Sequence, residues 1–88
     1  MERTVTVAIE EGLHARPAAL FVAAAQEAPA DVTISTGGEP VPADSILSIM
    51  TLGAKAGDTV TLATEGDSDD DAAALDSLEA FLQQKVVS

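Results

Sequence analysis

The sequence predicts an α+β fold: a two-layer, open-faced sandwich in which a four-stranded sheet carries three helices on one face, in the order β-α-β-β-α-β-α. Three observations predict it. Residues 4–9 and 59–64 alternate apolar and polar side chains, the period of a half-buried strand. An Ala-rich stretch and a later Leu-spaced stretch carry helical patterns between and after them. Finally, the 88 residues contain no linker, repeat or low-complexity segment, so residues 1–88 read as one domain with helices gathered on one side of the sheet. A chain of this size buries only about two thirds of the surface that its unfolded form exposes. It has no room for a deep substrate cavity.

The elements follow in order. Thr4-Val5-Thr6-Val7-Ala8-Ile9 places Val5, Val7 and Ile9 on one face of the first strand. Glu10-Glu11-Gly12-Leu13 connects it to a helix over about Arg16–Glu27, where alanines supply high helix propensity. Leu20, Ala23 and Ala24 fall on one side of that helix with Phe21 alongside, and Ala28-Pro29-Ala30 ends it. Val32 and Ile34 carry a second strand, and Gly37-Gly38 makes a tight reversal. Residues 39–43 are confined to a short edge strand, because Pro40 and Pro42 remove ladder donors. Asp44-Ser45 before Ile46–Leu52 and Gly53 after it mark a helix of about two turns. Gly57-Asp58 turns into the fourth strand, with Val60 and Leu62 facing inward. Asp69-Asp70-Asp71 opens the last helix, whose stripe is Leu75, Leu78, Phe81 and Leu82, with Lys85 near its far end.

Composition excludes several functions. Fifteen Asp and Glu against four Lys and Arg leave a net charge of −11, which repels nucleic acid and anionic lipid alike. Much acid with little lysine is the composition of proteins adapted to concentrated salt, so a halophilic cytoplasm is expected. With no cysteine there is neither a disulfide framework nor thiolate chemistry. No apolar run approaches the roughly 20 residues of a membrane span, and Met1-Glu2-Arg3-Thr4 leads directly into a strand pattern, so a soluble, cytoplasmic protein is expected. Asp67-Ser68-Asp69-Asp70-Asp71 lacks the glycine and distal glutamate of a calcium loop and reads as a solvated helix start. No metal and no cofactor are expected.

The chemistry lies in Gly12-Leu13-His14-Ala15-Arg16-Pro17-Ala18. Pro17 suits the first turn of a helix, where its missing N–H had no partner in any case. His14 then stands just ahead of the helix, where the free N–H groups of Ala15 and Arg16 and the dipole favour an anion. A neutral imidazole is a nucleophile near pH 7, and a guanidinium can grip phosphate oxygens with two parallel donors. A lone histidine at a helix start is ordinarily a cap or a solvated side chain. Combined with Arg16 and Pro17 it becomes a site for phosphoryl transfer.

The whole heptapeptide resembles the active-site signature of the HPr family, the histidine-containing phosphocarriers of the sugar phosphotransferase system, Gly-Leu-His-(Ala or Thr)-Arg-Pro-Ala. The order of elements agrees with that family along essentially the entire chain, although only the heptapeptide is specific. The resemblance implies an antiparallel sheet in the order 1-4-2-3. It also implies that His14 accepts a phosphoryl group on Nδ1 from phosphorylated enzyme I and passes it to sugar-specific enzyme IIA domains, with Arg16 binding the phosphate. Such a protein is a stoichiometric carrier and not an enzyme, and a monomer is expected. The resemblance further suggests Ser45 as a regulatory phosphorylation site for a serine kinase, against its plain reading as an N-cap hydroxyl. Ile46, Leu47 and Met50 are candidates for an exposed docking patch, because a two-turn helix cannot bury every side; Ile49 and Leu52 are assigned to the sheet.

Two features depart from the family. Glu11 stands where asparagine is frequent. The lysines that usually ring the patch are replaced by Gln26, Ser48 and alanines, so docking is expected to rest on apolar contact. Two other functions compete with the carrier. One is a regulatory module, or a carrier for a dihydroxyacetone or nitrogen branch, that acts by docking. The other is a histidine phosphatase, for which the sequence supplies no second acid or base beyond Glu10 and Glu11.

Overall fold

Apolar alternation on strands and apolar stripes on helices meet in one layer of side chains. The computed structural model of the chain describes residues 1–87, arranged as β1 (Glu2–Thr6), α1 (Ala15–Glu27), β2 (Thr33–Ser35), β3 (Val41–Pro42), α2 (Ile46–Leu52), β4 (Thr59–Ala63) and α3 (Asp69–Leu82). The strands form one antiparallel sheet in the order β1-β4-β2-β3. Both the element order and the sheet order agree with the sequence-based expectation.

Register fixes which face is buried. Val5 lies opposite Val60, and Leu62 opposite Ile34, so these four side chains line one face. They are fully or almost fully buried with Phe21 from α1, Ile49 from α2 and Leu75, Leu78 and Leu82 from α3. Thr4, Thr6 and Thr59 occupy the other face, open to solvent. Phe21 and Phe81 meet edge to face, with ring centroids 5.5 Å apart, and tie α1 to α3.

Arg3 has the same parity as Val5 and so points into the helical layer, opposite Leu62. It binds Asp76 and Glu79 on α3, the latter at 2.9 Å. The hydrogen bonds it donates to Asp76 and then to Glu79 hold this guanidinium more firmly protonated than usual.

Two expectations need correction. The strand expected at residues 4–9 is paired over Glu2–Thr6, because its partner β4 begins at Thr59, opposite Thr6. Val7 and Ile9 are nevertheless buried as expected. The buried side of α1 is Pro17, Ala18, Phe21 and Val22, with Leu20 and Ala24 half-buried and Ala23 exposed. Alanine fits either side of a helix, so an Ala-rich stretch specifies its own rotation weakly. At the start of α3, Ser68 accepts from the Asp71 N–H while Asp71 accepts from the Ser68 N–H, a reciprocal cap that uses one carboxylate of the acidic run.

The segment after β1 is fastened at each step. Val7 N–H donates to Asp58 O at 2.9 Å, and Gly57 N–H returns a bond to Val7 O at 2.8 Å. Ala8 N–H reaches Leu82 O and Glu10 N–H reaches Lys85 O, tying the segment to the end of the chain. Gly12 has φ +76°, and a Cβ there would stand 3.0 Å from Ala54 O and 3.2 Å from Lys55 Cα. Leu13 N–H donates to Ala54 O at 2.8 Å, and the Leu13 side chain is wholly buried. Gly12→Ala therefore meets both a left-handed backbone and a backbone neighbour, and should cost at least about 1–2 kcal/mol. Chemical denaturation at fixed potassium chloride reads this directly; wild-type stability would show that the loop does not need its close approach to Ala54.

Candidate functional site

His14 lies between a buried residue and a helix. Leu13 is fixed in the core, so the next side chain is driven outward, and His14, Ala15 and Arg16 are all exposed. His14 is extended (φ −143°, ψ 167°) at the N-cap of α1, yet its imidazole makes no capping hydrogen bond. The ordinary role of a polar residue at this place is thus not the one His14 plays.

Ala15 is the only described residue other than glycine with positive φ, at +52°. That conformation is uncommon for a residue bearing a Cβ and costs on the order of 1–3 kcal/mol. It turns the chain from extended His14 into α1, and the right-handed turns follow from Arg16, where the sequence predicts the helix to begin. The first helical bond, Ala18 N–H to His14 O, is long at 3.5 Å. Among the described residues the N–H groups of Ala15 and Arg16 have no backbone acceptor, and Pro17 has no N–H to satisfy. Two donors and the positive end of α1 therefore lie beside the imidazole. The Arg16 guanidinium makes no ion pair among the described residues. This constellation can hold a compact dianion at the surface without enclosing it.

The short helix α2 adds an apolar surface. Ile49 is fully buried and Leu52 half-buried, whereas Ile46, Leu47 and Met50 are 43%, 74% and 55% exposed. The division between more buried and exposed side chains on α2 is the one expected from the sequence. Ser45 is the N-cap of α2, its Oγ accepting from Ser48 N–H at 3.3 Å, while Asp44 is exposed and does not cap. Gly53, with φ +64°, closes the helix. Next to Leu47, a cavity of about 430 Å³ opens between Val41, Leu52 and Glu39.

Sequence reasoning missed three features of this region. The left-handed Ala15 has no signal in a residue type that favours helix. The contact of Gly12 with Ala54 and Lys55 had one signal, a glycine just before a fixed apolar residue, but the partner segment could not be named. Lys55 went unnoticed because it lies 41 positions from His14 in the chain.

Comparison with known proteins places this geometry. Residues 1–84 match the family described as "PTS HPr component phosphorylation site". The phosphocarrier protein HPr of Haloferax volcanii is 50% identical over 84 residues, spanning 93% of this chain and 92% of that protein. The HPr-like protein Crh of Bacillus subtilis is 40% identical over 86 residues, spanning 98% and 99%. Among solved structures, HPr from Bacillus anthracis superposes with a TM-score of 0.86 at 42% identity, over 94% of this chain and 96% of that one. Crh has a TM-score of 0.72 at 40% identity, over 96% and 94%, in a crystal structure described as a dimer with a swapped domain. The halophilic relative accords with the acidic composition. With the fold, the sheet order and the sequence in agreement, the chain belongs to the HPr family of phosphocarrier proteins of the phosphotransferase system.

Proposed function

We propose that His14 is the phosphoryl acceptor, that Arg16 and the N–H groups of Ala15 and Arg16 bind the phosphoryl oxygens, and that the protein shuttles this group from phosphorylated enzyme I to enzyme IIA domains. The observation that carries the reading is an exposed imidazole, free of any capping bond, beside two N–H groups and a guanidinium that have no partner among the described residues. Transfer through a loose, in-line transition state needs positioning and charge stabilisation above all, and a shallow site supplies both. Each turn consumes and regenerates the phosphorylated form, so the protein is a carrier and not an enzyme. The regulatory reading suggested by Crh-like relatives gives no use to Arg16 beside His14, and the carrier does.

The patch of Ile46, Leu47 and Met50 serves as the docking surface in this proposal. It is apolar, lies on the helix packed against α1, and has no lysine within α2. Residues 1–88 act as a single cytoplasmic domain. The charge of −11 opposes self-association at low salt, which supports a monomer. Ser45 acts as a cap; a phosphate there would place a dianion beside the docking patch and weaken it.

Incubation with enzyme I and phosphoenolpyruvate should add one phosphoryl group, acid-labile and alkali-stable, and His14→Ala should abolish it. In the same assay Arg16→Lys keeps the charge but loses the planar fork, and transfer should slow by the equivalent of about 1–3 kcal/mol. Labelling of His14→Ala, or a wild-type rate for Arg16→Lys, contradicts the assignment.

Docking by apolar contact has its own signature. Affinity for enzyme I should hold or rise from dilute buffer to molar potassium chloride, and Leu47→Asp should weaken it without changing the circular dichroism spectrum. Tight binding in dilute buffer that collapses with salt would identify an electrostatic interface instead.

A further inference from the structure

The few cations of this acidic chain are not spread evenly. Of the four basic residues, Arg3 is engaged by Asp76 and Glu79 on α3. The other three lie on the segments that form or hold the His14 loop. Arg16 is in the first turn of α1, Lys85 accepts the Glu10 N–H at its backbone oxygen, and Lys55 packs its backbone on Gly12.

Lys55 is the one whose distance to His14 is bounded. A point at the Cβ position of Gly12 is 3.2 Å from Lys55 Cα and 3.5 Å from His14 Cδ2. The Lys55 Cα and the imidazole are therefore at most about 7 Å apart, and a lysine side chain extends about 6 Å from its Cα. The backbone there is held: Lys55 N–H donates to Asp58 Oδ2 at 2.9 Å, Asp58 N–H returns to Lys55 O at 2.9 Å, and Ala54 O accepts from Leu13. The Lys55 side chain is exposed and makes no ion pair among the described residues. Acidic groups are also at hand in Glu10, Glu11 and Asp58, all exposed. A phosphoryl dianion outcompetes a single exposed carboxylate for an ammonium, because it offers twice the charge and three acceptor oxygens.

We infer that Lys55 is a second phosphate-binding residue, its ammonium meeting the phosphoryl oxygens on His14 from the α2–β4 loop while Arg16 meets them from α1. The inference rests on the carrier reading. In the transfer the bond from phosphorus to the donor atom breaks as the bond to the imidazole nitrogen forms, and the donor keeps its electron pair. Lys55 exchanges no proton and forms no bond; it neutralises charge that the phosphoryl oxygens carry throughout.

The test is ³¹P NMR and transfer kinetics on the whole chain phosphorylated by enzyme I and phosphoenolpyruvate, comparing wild type, Lys55→Gln and Lys55→Arg at one ionic strength. A nearby cation favours the dianion, so Lys55→Gln should move the titration of the phosphoryl group to higher pH and slow its transfer roughly five-fold, the scale of one exposed charge contact. Lys55→Arg should restore both, which a merely structural lysine would not require. Wild-type titration and rate in Lys55→Gln overturn this role for Lys55 while leaving the carrier reading intact. Failure of the wild type to accept a phosphoryl group overturns the carrier reading itself, and this proposal with it.

Discussion

The attachment of Gly12 and Leu13 to Ala54 is the constraint on which the site depends. Leu13 is wholly buried and its N–H is bonded to Ala54 O, so the chain is fixed one residue before the imidazole. Because Leu13 points inward, His14 is directed outward, and the helix must begin within the next two residues. The turn is completed by Ala15 in a left-handed conformation, a local cost that the buried residues on either side, Leu13 and Pro17, impose. An exposed histidine on a free loop would sample many orientations. Here its range is narrowed by a core contact that has no part in the chemistry.

Charge works on a different scale from packing. A chain at −11 repels itself, and its folded form is favoured when salt screens that repulsion. Under such conditions surface ion pairs contribute little, and apolar burial is strengthened by excluded salts. The exposed Ile46, Leu47 and Met50 fit that setting better than a lysine rim would. Of the four cations, Arg16 and Lys55 lie on the segments that form and brace the His14 loop, where an anion could be met at contact distance, a range over which screening is weakest. Scarcity of lysine thus makes the position of each one more informative.

Much of this was legible in the sequence. Strands with β-branched alternation, such as Thr4-Val5-Thr6 and Thr59-Val60-Thr61, declare both their type and their buried face. The ends of α2 were marked by Ser45 and Gly53, a cap and a left-handed stop, and both act as such. The exposed triad on α2 followed from the limited area that a two-turn helix can bury. Other features were not legible, for identifiable reasons. The rotation of α1 was blurred by alanines, and Ala23 is exposed where the pattern placed it inward. The ion pairs of Arg3 join residues more than 70 positions apart, and only its parity with Val5 hinted that it faced the helices. The heptapeptide marked the family, whereas the backbone that braces its loop, at Ala54 and Lys55, comes from a segment with no motif.

If the strapped loop presents His14 to the open N–H groups of α1, those amides hold the transferred group. The direct measurement is a ¹H–¹⁵N correlation spectrum of the chain before and after phosphorylation. The largest amide shifts should fall on Ala15 and Arg16, with smaller ones at Gly12 and Leu13, while the β1–β4 pairs stay in place. Unmoved amides at the start of α1, or changes centred on the sheet, would contradict it.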